Sequence, residues 1–270
     1  MSFIHPNYLY ELINQSDYPT IQRLCSSSQQ LNRLCREPHF YNLILQQKQR
    51  YIERKTDDFL NTINLTFRNN PTEIYHKAIA RNDIDIINEL IRRKIKPNRF
   101  IINYLLGAAV ATGNLSIVNI LLNQKWIKPE ADKNMAVRIA SHDGYLDILN
   151  RLLKHSQVDP SDWSNEAIAS ASENGHISIV DRLLQDPRVN PNDNDNLAIR
   201  SSSRNGHLDI VNRLLQDERV DPQAKNNDAI RKASYNKHIE VVKRLLQDKR
   251  VWYSHSEQER RRYLEQIGEI

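Results

Sequence analysis

Residues 196–222 read NLAIRSSSRNGHLDIVNRLLQDERVDP, and most features of that stretch return 31 residues away. Gly113, Gly144, Gly175 and Gly206 keep this spacing, and Gly268 lies two steps further on. The same interval separates Pro129, Pro160, Pro191 and Pro222, and also Asn103, Asn134, Asn165, Asn196 and Asn227. Self-similarity at a fixed period of this size marks a solenoid, in which one small unit is stacked on the next. Such an array offers a long ligand surface in place of an enclosed pocket.

Inside one unit, Asn196 is expected to cap a helix, its side chain accepting a bond from a free backbone N–H. Thr72 holds the same position in the first unit. The small residues Ala198, Ser202 and Ser203 suit a first helix that lies close to its neighbours and runs to Asn205. Gly206 ends it, because the chain needs a positive φ there. Leu208, Val211, Leu214 and Leu215 then form one apolar stripe on a second helix. Asp221-Pro222 leaves that helix, since proline has no N–H with which to continue it. The leucine pairs Leu121-Leu122, Leu152-Leu153, Leu183-Leu184, Leu214-Leu215 and Leu245-Leu246 are the expected core, with Leu90-Ile91 in the first unit.

Gly206-His207-Leu208 through Leu214-Leu215, and Gly175-His176-Ile177 through Leu183-Leu184, resemble ankyrin repeats. The resemblance covers six units from about Thr72 to Tyr253, with a truncated seventh over 258–270. It departs from the family in its period, 31 against the usual 33. The Thr-Pro-Leu-His opening is also missing, replaced for example by Asp228-Ala229-Ile230-Arg231. This short variety is similar to ankyrin arrays of giant viruses of amoebae and of some protists. The resemblance implies an all-α solenoid of helix–turn–helix units. The expected layout is a helical domain over 1–50, a connecting helix or linker over 51–71, repeats over 72–257 and a cap over 258–270.

By the same resemblance, a protein partner lies in the concave groove formed by loop tips and first helices. The tips are Arg99, Phe100, Glu130, Asp132, Asp162, Trp163, Asp193 and Lys225. The helix ends are His142, Asp143, Glu173, Asn174, Arg204, Asn205 and Tyr235. Trp163 and Tyr235 are the expected anchors, because aromatic side chains carry much of the energy of interfaces.

Residues 1–50 are off the lattice. A proline-led helix from Pro6 through Leu9, Leu12 and Ile13, an Asp loop, a helix carrying Leu24 and Cys25, and Phe40-Tyr41 resemble an F-box. That resemblance implies docking on the Skp adaptor of cullin ubiquitin ligases through Pro6, Leu9, Leu12, Ile13 and Leu24, with the repeats selecting a target.

The net charge of +5 and pI near 9.1 raise nucleic acid as a competing partner. Acids are interleaved with the bases, however, as in Asp217-Glu218-Arg219, and a solvated surface is the expected reading. Arg151, Arg182, Arg213 and Arg244 form a lattice stripe that either tracks phosphates or covers leucines with its aliphatic stems. His176, His207 and His238 fall about 10 Å apart on successive units, too far for a common metal. No phosphate loop, HExxH pair or nucleophile elbow occurs, so no enzyme and no cofactor are expected. Cys25 and Cys35, each in an Arg-Leu-Cys context, are expected as reduced core thiols. With no apolar run of about 18 residues and no leader-like start, a cytoplasmic or nuclear monomer is expected.

Overall fold

The computed structural model describes residues 6–27, 29–62, 71–98 and 102–269, and all regular structure among them is helical. The chain divides into two compact units, residues 1–98 and 99–270. The first holds α1 (Pro6–Gln15), α2 (Tyr18–Ser26), α3 (Gln29–Cys35), α4 (Pro38–Thr62), α5 (Pro71–Ala80) and α6 (Ile84–Arg92). The second begins with the pairs α7 (Ile102–Ala111) and α8 (Leu115–Leu122), then α9 (Ala131–His142) and α10 (Leu146–Leu152). Next come α11 (Asp162–Glu173) and α12 (Ile177–Leu184), α13 (Asp193–Asn205) and α14 (Leu208–Leu215), and α15 (Ala224–Tyr235) and α16 (Ile239–Leu246). It ends with α17 (Lys249–Ser254) and α18 (Glu257–Gln266).

In the first unit Ile13, Ile21, Leu31 and Phe40 form a small core, with Leu24, Leu34, Leu43 and Ile44 packed around it. One expectation fails here. Cys25 and Cys35 are joined in a disulfide between α2 and the end of α3, not held as free thiols. Packing of the two helices brings their Cα atoms to 5.9 Å, within bonding reach for cysteines. The expected boundary at residue 50 falls inside α4, which runs unbroken to Thr62. Its second half is tied to α6 by charge. Glu89 is 2 % exposed and accepts from Arg92, Arg93 and Gln49. Those bonds, led by Arg92, hold its carboxyl down at about 2. Arg93 reaches Asp57 at 2.6 Å and Lys55 reaches Asp83 at 2.6 Å. One helix therefore covers the repeat-like pair α5–α6, which is why the compact unit extends to residue 98.

The second unit buries the residues the period selects. Leu121, Leu152, Leu183, Leu214 and Leu245 have no exposed surface, and Leu184, Leu215 and Leu246 have little. One member of the apolar stripe differs: Ile210 is fully buried, and Leu208, expected in the stripe, is half-buried. Gly206 takes φ 79°, and a Cβ there would lie 2.5 Å from the ring of His238 in the next repeat. Glycine is needed for both reasons, since other residues resist this backbone and a methyl would collide. Asn82 and Lys237, which replace it at the ends, are also left-handed.

Asn134, Asn165, Asn196 and Asn227 do not cap helices. Each is the last of three left-handed residues that precede the regular turns of a first helix: 132–134, 163–165, 194–196 and 225–227. Asn134, Asn165 and Asn196 are buried, and their Oδ1 atoms accept from the backbone N–H of Asp159, Asn190 and Asp221. Asn227 accepts from the Ser254 hydroxyl, and Thr72 from the N–H of Asn98. The bond therefore reaches 25 residues ahead or a little more, to the loop that closes the same unit. Left-handed backbone explains the residue type, because asparagine tolerates it better than other side chains with a Cβ.

Candidate protein-interaction face

Stacked units leave the outward side of each first helix uncovered, and the side chains there follow the lattice. One position carries Arg138, Ala169, Arg200, Arg231 and Arg262. Arg138 donates to the carbonyls of Lys133 and Asp132, Arg200 to those of Asn194 and Asp195, and Arg231 to those of Asn226 and Lys225. These are the carbonyls of the left-handed turns. Three such residues cost about 1–2 kcal/mol each, and the guanidinium offsets part of that by satisfying oxygens the helix leaves free. Alanine replaces the arginine at 169, in the turn that carries Trp163.

Trp163 stands at φ 55°, a rare place for a large aromatic residue, and is 48 % exposed. Its ring lies 4.2 Å from the Lys133 ammonium and 4.5 Å from the Arg138 guanidinium of the preceding repeat. Such cation–π contacts contribute about 0.5–1 kcal/mol at an exposed site and hold the indole in place. Tyr235 is 83 % exposed, and Tyr104 on α7 is 49 % exposed. The expected list did not contain Tyr104, although its lattice position, shared with Met135 and Glu166, was visible in the sequence.

Several expected contact residues are engaged within the stack. Asp162 and Asp193 accept from the amides of Asn134 and Asn165. Asn205 donates to the carbonyl of Glu173, and Glu173 is ion-paired with Arg204. Asn174 donates to Ser170, His142 meets Asp143 at 2.6 Å, and Lys225 meets Asp195 at 2.8 Å. The Lys225 bond lowers the Asp195 pKa below the usual carboxylate range. Asp132 is exposed, and Glu130 is half-buried with one carboxylate oxygen buried and without a partner among the described residues. Arg99 and Phe100 lie outside the described residues. In the first unit, Ile13 is fully buried and Leu24 packs against the same core, so both face inward; Leu12 is half-buried. The side chains of Pro6 and Leu9 lie outside the described residues.

The opposite side is occupied by bonds between repeats. Arg151, Arg182, Arg213 and Arg244 each donate from Nε to the residue 32 places earlier: Asn119, Asn150, Asp181 and Asn212. Their heads are thus tied to the neighbouring helix. Arg188, Arg219 and Arg250 donate to the carbonyls of Val158, Val189 and Val220 while bonding Asp186, Asp217 and Asp248. Those aspartates are held below the ordinary range by their arginines. His176, His207 and His238 donate from Nε2 to the carbonyls of His142, Glu173 and Arg204 in the repeat before. Among the described residues no group of His, Cys, Asp and Glu could hold a metal ion, and no helix is long and apolar enough to cross a membrane.

This geometry defines a repeat scaffold, and comparison with known families agrees. A family model for ankyrin repeats, three copies long, matches residues 105–195 and again 168–255, together more than half of the chain. The chain belongs to the ankyrin-repeat family. Ankyrin repeats are in general protein–protein interaction modules and typically non-enzymatic. No curated protein matches the chain.

Proposed function

We propose that this chain is a non-catalytic scaffold that holds a protein partner on the exposed face of its first helices. One observation carries the reading. Of the four large exposed apolar side chains among the described residues of the second unit, three lie on that face: Tyr104, Trp163 and Tyr235. The opposite face spends its arginines on neighbouring repeats, which leaves little for phosphates and weighs against nucleic acid. A cytoplasmic or nuclear setting goes with the scaffold role but not with the Cys25–Cys35 disulfide, a bond that reducing compartments seldom keep. The test is capture with the tagged full chain followed by mass spectrometry, repeated with Tyr104→Ala/Trp163→Ala. Loss of two aromatic anchors should weaken the specific partner by at least about 2 kcal/mol. Undiminished capture by the double variant overturns the proposal.

A ligase-receptor role would add adaptor docking through residues 1–50. Its support is the helical unit α1–α3 and the sequence likeness around Leu12, with Ile13 and Leu24 committed to the core. Binding of purified Skp adaptor to the full chain, lost in Leu12→Asp, is the expected result for that role.

A further inference from the structure

The arginine column of the first helices ends differently from how it begins. Arg138, Arg200 and Arg231 each sit five and six residues after the two left-handed carbonyls that they brace. Arg262 holds the same lattice position in α18, but α18 has no left-handed turn. It starts at Ser256 with φ −64° and ψ 161° in a capping box, Ser256 accepting from the N–H of Glu259 and Glu259 accepting from the N–H of Ser256. The carbonyls that would occupy Arg262 are therefore absent, and among the described residues its guanidinium has no hydrogen-bond or ion-pair partner.

The surroundings of this arginine make a groove. Arg231, Ser234, Tyr235, Glu259, Arg262 and Tyr263 line it, between α15 and α18. Gln266 clamps its far end by donating to the Ser234 carbonyl and accepting from the Ser234 hydroxyl. Arg231 is 55 % exposed; its Nε and Nη2 are engaged, and its Nη1 makes no bond among the described residues. Both oxygens of Asp228 are engaged, one accepting from Arg200 and the other from Arg231. Glu259, the one acid lining the groove, accepts twice from Ser256 through Oε2; these bonds and, to a lesser degree, the Arg262 charge lower its pKa. Lys232 and Lys237 follow on α15 and just beyond it. The groove thus has unspent guanidinium donors next to Tyr235, the most exposed large apolar side chain among the described residues.

From this placement we infer that the α15–α18 groove is a subsite for an acidic stretch of peptide. A carboxylate would sit between Arg231 and Arg262, and a neighbouring apolar side chain would lie on Tyr235. Guanidinium forks match carboxylates in geometry as well as charge, which is why arginine serves here better than lysine would. The inference deepens the scaffold reading and rests on it, because it supplies the charge of one end of the partner.

The probe is a short fluorescein-labelled peptide in which Asp and Glu alternate with Leu, titrated against the full chain by anisotropy. The expected result is saturable binding that weakens with added salt. It falls about tenfold or more in Arg262→Gln, the loss of a hydrogen bond to a charged group. The same peptide with Asn and Gln in place of its acids should not bind. Arg262→Gln must melt at the wild-type temperature, which its exposed position on the cap predicts. Where it does not, charge removal on the peptide replaces the variant as the deciding comparison. Equal binding of acidic and amide peptides, or equal binding by Arg262→Gln and wild type, overturns the inference. Competition by inorganic phosphate as strong as by the peptide marks a bare anion site and also overturns it. The scaffold reading is judged separately by Tyr104→Ala/Trp163→Ala, which leaves this groove intact.

Discussion

The two ends of this chain hold themselves together by different means. Residues 6–45 form a small bundle whose core is four buried side chains, helped by one covalent bond between Cys25 and Cys35. Residues 102–246 repeat one solution: a leucine column, a lattice asparagine closing each loop, and arginines and histidines crossing to the preceding unit. In the bundle every contact is particular, so one change is felt locally and heavily. In the array each contact has copies, and stability is close to a sum of units and interfaces.

Three measurements would break or sharpen that contrast. The largest effect should come from Leu183→Ala, which empties a fully buried site in the middle of the column. Such changes cost about 2–5 kcal/mol, and chemical denaturation should show the loss across the whole second unit. A loss confined to one repeat, or below about 1 kcal/mol, would deny that the repeats share a core.

Reduction of the disulfide, or Cys35→Ser, should come next. Closing a short loop stabilises by about 2–4 kcal/mol, so α1–α3 should become labile to proteolysis while the repeat transition stays put. A shift of the repeat transition would mean that the two regions are not energetically separate.

The smallest of the three is Asn165→Ala. It leaves the Asn190 N–H without its acceptor and Asp193 without one donor, at a cost of about 1–3 kcal/mol. Asn165→Asp should restore the first bond but set a second carboxylate beside Asp193. A stable Asn165→Ala variant would return the asparagine to an ordinary turn role.

Much of the array was legible because its constraints are local and repeated. A glycine at most left-handed helix ends and a leucine pair at most second helices announce themselves by period alone. The asparagines were visible but misread. Their partner lies 25 residues ahead, and a local capping rule cannot see that far. The left-handed turns were hidden for a related reason: Lys133, Trp163 and Ser164 have no preference for such backbone, and only the surrounding bonds hold them there. Arg138, Arg200 and Arg231 were legible as a lattice column, but not as braces of a turn that had not been expected. In the first unit nothing repeats, so neither the disulfide nor the unbroken course of α4 could be inferred from spacing.

The amino-acid sequence by itself determined the period, the helix pairs, the buried leucines and the family, because burial of apolar surface at fixed intervals admits one kind of stacking. Tertiary structure decided which polar groups are spent inside that stack and which remain for a partner. The reason is that a hydrogen bond depends on where its partner arrives in space, and residue spacing along the chain does not specify that. Arg231 and Arg262 share a lattice position, yet one is engaged by a turn and the other is not.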